Sequence, residues 1–225
     1  MLFRSESDGA WLQLDPKNPF GKKSNGLPCV ESGKEIDLRT VGIDVVFPLL
    51  HGPYGEDGTF QGLCEMMNIS YVGSGVLASA VAMDKSFAKP IFASHGLAVA
   101  PGIVLTQREW STDKSGSLAR IQSLRFPLFV KPARSGSSRG TTKVKSSEQL
   151  SDAIESALVH DPKILIEAAI VGREIECGVL EIEGVPHTSV VGEVRVLGNH
   201  EFYEDRKSTR LNSSHEWISR MPSSA

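Results

Sequence analysis

The apolar run Val45, Val46, Phe47, Leu49 and Leu50, entered at Asp44, is nearly continuous and partly β-branched, as a strand buried in a parallel sheet would be. Behind it, Phe60, Leu63 and Met67 recur three and four apart and predict a short helix over 59–67. A second strand is expected at 69–72. Gly73-Ser74-Gly75 then opens a helix over 76–83, whose first turn gathers unpaired N–H groups suited to an anion. Asp84 is placed to cap a further helix over 85–95, closed by Gly96. Pro90 inside that helix removes a backbone donor and predicts a kink.

Further along, strands are expected over 98–106, 127–131, 142–145, 163–170, 174–181 and 188–195, with a polar stretch over 107–116 and a loop at 137–140. Ser146-Ser147-Glu148-Gln149 has the form of a capping box. Leu150, Ile154 and Leu158 follow four apart on one helix face, until Asp161-Pro162 stops the helix. Residues 1–40 are rich in Gly, Pro, Lys and Ser and alternate like a strand only at Trp11-Leu12-Gln13-Leu14. No internal repeat is visible. The layout is α/β: part of a parallel-sheet domain, then, from about Lys85, a mainly antiparallel sheet with helices.

A chain of 225 residues that is 40% hydrophobic can bury a sizeable core in one or two domains. Its formal charge is -3, and leaving out the four basic residues and one acidic residue of 206–225 makes it -6. Such a balance gives no electrostatic reason to seek nucleic acid or an anionic membrane. The three cysteines, Cys29, Cys64 and Cys177, are far apart without metal-type spacing and read as reduced thiols. No apolar run approaches the roughly 20 residues that span a bilayer, and no signal peptide opens the chain, so a cytoplasmic location is expected. Residues 206–225 hold six serines and no paired apolar periodicity. The stretch from Asp205 to His215 resembles the in-frame translation of a sequencing adaptor, and 204–225 is expected to be a non-native tail after Tyr203.

Three segments carry candidate chemistry. His51-Gly52-Pro53-Tyr54-Gly55-Glu56-Asp57-Gly58 puts three titratable side chains on a tight loop behind an apolar run, an arrangement that gains most by gripping a small charged ligand. Asp57 reads as shaping the turn. Lys131 lies in the apolar strand Leu128-Phe129-Val130, where a charge is costly unless paired, and a phosphate would be a suitable partner. Ser135-Gly136-Ser137-Ser138-Arg139-Gly140 follows, with glycines that permit backbone approach and hydroxyls and N–H groups that donate. On spacing alone Lys85 is an ordinary solvated charge, and Glu167 and Glu174 are strand-end acids paired with Arg173 or Lys163.

The loop at 51–58, Met83-Asp84-Lys85 and the stretch from Val130 to Gly140, in that order, resemble D-alanine–D-alanine ligases of the ATP-grasp superfamily, with the likeness running from Trp11 to Tyr203. The resemblance implies a partial N-terminal parallel-sheet ligase domain at 1–84, a central α+β ATP-grasp subdomain at 85–173, and the first strands of a third domain at 174–203. It implies that ATP phosphorylates a D-alanine carboxylate and that a second D-alanine attacks the acyl phosphate, for peptidoglycan precursor synthesis. Ser137 would then be the active-site serine of a phosphate-covering loop. ATP would be held by Lys85, Lys131, Ser138, Glu167, Ala168, Ile170 and Glu174, with Glu167 at the adenine amino group and Glu174 at the ribose. Glu56 and His51 would meet the first D-alanine. Ser135 and Arg139 depart from the common family pattern. The metal, Mg2+ or Mn2+, would be bound by residues expected beyond Tyr203, so the chain as written is expected to be inactive. A homodimer is implied for the full-length family, with no nucleic-acid or membrane partner. Ligases that use D-lactate or D-serine as acceptor, and a non-catalytic nucleotide-binding remnant, are the alternatives.

Overall fold

In the computed structural model, which describes residues 2–5, 11–14, 20–22, 28–30, 34–136 and 138–194, the first strands are short and locally paired. β1 (Leu2–Ser5) pairs antiparallel with β2 (Trp11–Leu14), which pairs in turn with β5 (Lys34–Ile36). β3 (Phe20–Lys22) pairs with β4 (Pro28–Val30). The alternation at 11–14 is thus a strand. The strand expected over the apolar run after Asp44 is only β6 (Val45–Val46), parallel to β7 (Ser70–Tyr71). Its parallel sense is as expected, but its burial is not, since Phe47 and Leu49 are 68% and 70% exposed. A two-stranded ribbon covers little of either face, and Pro48 has no N–H with which to prolong the ladder.

α1 (Thr59–Met66) forms where the period predicts it but with a rotated face: Phe60, Gln61 and Cys64 are buried, while Met66 is exposed. Phe60 packs on Trp11, with ring centroids 5.7 Å apart. Gln61 Nε2 donates to the Gly55 carbonyl at 3.1 Å, so the preceding loop supplies the partner that lets a polar side chain turn inward. Contacts divide the chain into two units, Met1–Leu77 and Ala78–Ala225.

α2 (Val76–Met83) follows Gly75 as expected. Asp84 then caps α3 (Lys85–Ser94), its Oδ1 accepting from Ser86 N at 3.0 Å and Ser86 Oγ at 2.6 Å. α3 continues through Pro90. β8 (Gly102–Thr106), β9 (Leu128–Pro132), β10 (Thr142–Val144) and β11 (Lys163–Ala168) make an antiparallel sheet in the order β10-β9-β11-β8.

The polar stretch after β8 folds into two helices, α4 (Gln107–Thr112) and α5 (Lys114–Ile121). Thr106 and Glu109 cap α4 reciprocally: Glu109 N donates to Thr106 Oγ1 at 3.2 Å, and Thr106 N donates to Glu109 Oε2 at 2.8 Å. Asp113 caps α5 by accepting from Gly116 N at 2.8 Å. The two helices deliver Trp110 and Ile121 to the core. The capping box expected at 146–149 does not close. Gln149 Oε1 accepts from Lys145 N at 2.8 Å, and a 3-10 turn, Ser147–Gln149, leads into α6 (Leu150–Leu158). Leu150, Ala153, Ile154 and Ala157 of α6 are buried with Leu128, Val130, Ile164 and Ile166 of the sheet.

The last two expected strands each break in two. Residues 174–181 hold β12 (Glu174–Glu176) and the start of β13 (Val179–Ile182), while β14 (Val185–Thr188) and β15 (Gly192–Val194) flank the start of the second. β13 and β14 form a hairpin whose turn residues, Glu183 and Gly184, have φ of 51° and 78°, the left-handed pair that a two-residue turn needs. β12 pairs with β15. The expected tail at 204–225 lies outside the described residues. No helix among the described residues is long and apolar enough to cross a membrane.

Thr106→Ala removes one half of the α4 cap and is expected to lower unfolding stability by about 1 kcal/mol, read as a shift of the urea midpoint at unchanged slope.

Candidate functional site

Side chains alternate across a pleated strand, so the central sheet has two unlike faces. One carries Val130, Ile164 and Ile166 into the core beneath α6. The other carries Lys131 from β9 and Glu167 from β11. Leu165 lies opposite Lys131 and Glu167 opposite Phe129, which makes Lys131 and Glu167 diagonal neighbours on that face. Glu167 is only 3% exposed. Its carboxylate is paired through Oε2 with Lys131 Nζ and through Oε1 with Lys89 Nζ from α3.

Lys85 stands one helical turn before Lys89 on α3. Its ammonium donates to the carbonyls of Ser135 at 2.7 Å and Ala133 at 3.4 Å. Burial, and then repulsion from Lys131, hold it below the ordinary lysine range, against the pull of Glu167. Three ammonium groups therefore stand about one carboxylate, two of them paired with it and Lys85 held on main-chain carbonyls, a formal surplus of two positive charges in a half-buried place. Charges withdrawn from water need compensation, and this donor set fits the phosphates of a nucleotide. Lys89 was not singled out in the sequence; its place four residues after Lys85 was the available signal.

The glycine-serine loop is tied down at its root. Asp161, buried, accepts from Arg134 N at 2.9 Å, Nε at 3.1 Å and Nη2 at 2.9 Å, and from Lys163 N at 3.0 Å. Arg134 is thereby committed to the scaffold. In the loop, Arg139 N donates to Gly136 O at 3.1 Å and Thr141 N to Ser138 O at 3.0 Å, with Ser138 at φ 53°. Gly140, at φ 72°, packs so closely that an added Cβ would lie 2.4 Å from His160 Cδ2. Ser137 lies outside the described residues. Arg139 is exposed.

At the end of β11, Ala168 N donates to Pro101 O and Ala169 N to Pro127 O, both at 2.9 Å. Ala168 is half-buried, Ile170 is 73% exposed, and Glu174 is exposed on β12. Glu167 does not pair with Lys163 as spacing suggested. Lys163 Nζ meets Asp84 Oδ2 at 2.5 Å and lies 4.5 Å from the centre of the Phe87 ring. Strand pleating decides this: Lys163 and Glu167 are four residues apart on one strand, too far for contact, whereas Lys131 is a cross-strand neighbour.

In the first unit, Glu56 Oε2 accepts from Gly52 N at 2.5 Å, folding the carboxylate back on its own loop. Asp57 shapes the turn, accepting from Tyr54 N at 2.9 Å and Thr59 N at 3.0 Å. Gly58 has φ 89°, and an added Cβ would meet Val76 O at 2.6 Å, so only glycine fits there. His51 is exposed on the same loop. Among the described residues no group of three or more His, Cys, Asp or Glu is placed to hold a metal ion.

Glu167→Gln would leave Lys89 and Lys131 without their shared counter-charge. It is expected to cost about 3 kcal/mol of stability, measured by chemical denaturation. Acid should act through Asp161 and Asp84. Burial alone would raise both carboxyls, but their ion pairs with Arg134 and Lys163 and their N–H and hydroxyl donors hold them below the ordinary range. The unfolded chain then binds more protons, so this stabilisation is full above about pH 4 and drains away as pH falls through the lowered values. Asp161→Asn should flatten the acid limb of a plot of melting temperature against pH.

The D-alanine–D-alanine ligase N-terminus model matches residues 6–74, and the D-alanine–D-alanine ligase C-terminus model matches residues 91–219. A D-alanine–D-alanine ligase of Paenarthrobacter aurescens is 58% identical over 220 residues, spanning 87% of this chain and 58% of the relative. That of Streptomyces coelicolor is 55% identical, spanning 90% of this chain and 51% of the relative. The chain thus spans little more than half the length of these relatives. Among solved structures, the D-alanine–D-alanine ligase of Coxiella burnetii superposes with a TM-score of 0.65 at 30% identity, covering 83% of this chain and 58% of that one. The VanG D-Ala:D-Ser ligase of Enterococcus faecalis gives 0.66 at 32% identity, covering 85% and 58%. The fold is that of the ATP-grasp ligases, and the chain belongs to the D-alanine–D-alanine ligase family.

Proposed function

We propose that this chain is the nucleotide-holding portion of a ligase that joins two D-alanines using ATP. The observation that carries the reading is the surplus of positive charge formed by Lys85, Lys89 and Lys131 around Glu167, next to a glycine-serine loop. In this reading residues 1–84 belong to the N-terminal ligase domain, 85–173 to the central ATP-grasp subdomain and 174–203 to the start of the third. Lys131 turns from Glu167 to the phosphates, Lys85 adds a second cation from beneath the loop, and Lys89 stays on Glu167 so that the carboxylate is never left alone. Ser137 and Ser138 cover the transferring phosphoryl group. The main chain at Ala168 and Ile170 reads the adenine edge with Glu167 behind it, and Glu174 meets the ribose.

The bonds formed and broken balance. A D-alanine carboxylate oxygen takes the γ-phosphoryl group and ADP leaves; the amine of a second D-alanine then displaces phosphate and loses a proton, giving D-alanyl-D-alanine. Charge neutralisation and in-line positioning are what the protein contributes. Glu56 pairs with the ammonium of the first D-alanine, with His51 beside it. A divalent ion would add further neutralisation of the phosphates. The reading places the enzyme in the cytoplasm, in peptidoglycan precursor synthesis, as a homodimer. A D-serine acceptor is a second reading, favoured by the equally good superposition on the D-Ala:D-Ser ligase; product analysis with D-alanine, D-serine and D-lactate as acceptors separates them.

ATP at a hundred times its dissociation constant is expected to stabilise the chain by about 2.7 kcal/mol, and Lys131→Ala to abolish that gain. Thermal melts with and without ATP check this, and a wild-type melt unmoved by ATP would sink the reading.

A further inference from the structure

We infer that Pro101 makes the nucleotide site selective for a 6-aminopurine, by leaving the Ala168 carbonyl without a strand partner. The inference deepens the nucleotide-binding reading and rests on it.

In an antiparallel ladder, the N–H and C=O of one residue point to the same neighbouring strand, and a hydrogen-bonded pair exchanges two bonds. Ala168 N donates to Pro101 O at 2.9 Å, and Glu167 lies opposite Gly102, so Ala168 and Pro101 are such a pair. Gln107 N donating to Pro162 O at 2.7 Å, at the other end of the same two strands, keeps the same two-residue phase. Proline has no N–H to give back. The pairing is also pinned, because a Cβ added at Gly102 would lie 2.9 Å from Glu167 Cγ.

The opposite neighbour cannot help. Toward β9 the bonding residues are Ala169, whose N–H goes to Pro127 O, and Lys163, whose carbonyl accepts from Ala133 N, both at 2.9 Å. Ala168 faces Leu128 there as a non-bonded pair. Its carbonyl is therefore an acceptor held open at a half-buried strand end, and a backbone carbonyl left so is satisfied by whatever donor occupies the place. An exocyclic amino group is such a donor. Two residues on, Ile170 is 73% exposed, and in this inference its N–H meets the adjacent ring nitrogen. An amino group beside a ring acceptor is the edge of a 6-aminopurine.

The probes are ATP and 6-deamino-ATP, the purine riboside triphosphate, which keeps the ring acceptor and lacks the amino group. Equilibrium binding of both is measured on the wild-type chain and on Pro101→Ala, whose restored N–H can close the pair. Wild type is expected to favour ATP by roughly three- to tenfold, the worth of one net hydrogen bond. Pro101→Ala is expected to bring the ratio toward one by weakening ATP alone, whereas a merely structural disturbance would weaken both alike. Pro101→Ser restores the same N–H and serves if the alanine variant does not fold. Equal affinities in wild type, or a ratio that the restored N–H leaves unchanged, overturn the inference while nucleotide binding stands. Failure of wild type to bind either nucleotide overturns both.

Discussion

One buried carboxylate organises the functional face of this chain. Glu167 sits near the end of β11, directly after the buried run Ile164-Leu165-Ile166, where an isolated charge would be too costly to keep. It is tolerated because Lys131 reaches it diagonally across the sheet and Lys89 reaches it from α3. Those two ammonium groups are in turn held near Lys85, whose own contacts are main-chain carbonyls. Compensation is thus incomplete by design of the packing: the carboxylate satisfies the lysines only in part, and the surplus positive charge defines what else belongs there.

The rest of the second unit keeps that cluster in place. The core under α6 fixes the register of β9 and β11, and the register decides which side chains are cross-strand neighbours. Asp161 holds both Arg134 and the start of β11, so the root of the glycine-serine loop is tied to the same strand that carries Glu167. Asp84 caps α3 and pairs with Lys163, which sets the helix bearing Lys85 and Lys89 against that strand. Two short prolyl interruptions, Pro101 and Pro127, then end the ladder just after Glu167.

Much of this was legible locally. The helices at 76–83 and 85–94 followed from a glycine turn and an aspartate cap, because such signals act within one turn of chain. The polarity of 107–116 obscured two helices whose deeply buried residues are Trp110, Ser117 and Ile121. Strand lengths were less legible. The runs at 174–181 and 188–195 are broken where Gly178 N donates to Ser189 Oγ at 2.9 Å, a contact between distant residues. The burial expected for Phe47 and Leu49 also failed, since hydrophobicity states a preference and cannot say whether a covering layer stands nearby.

By itself the sequence determined the α/β character, the family and the segments that hold the charged and glycine-rich residues, because these depend on residue type and short spacing. The tertiary structure alone decided which charges meet. That Glu167 takes Lys131 and Lys89, that Lys163 takes Asp84, and that Arg134 takes Asp161 are matters of strand register and helix docking. Electrostatic pairing acts over a few ångströms in space, and residues so close can lie nearly eighty positions apart along the chain, where no periodicity records them.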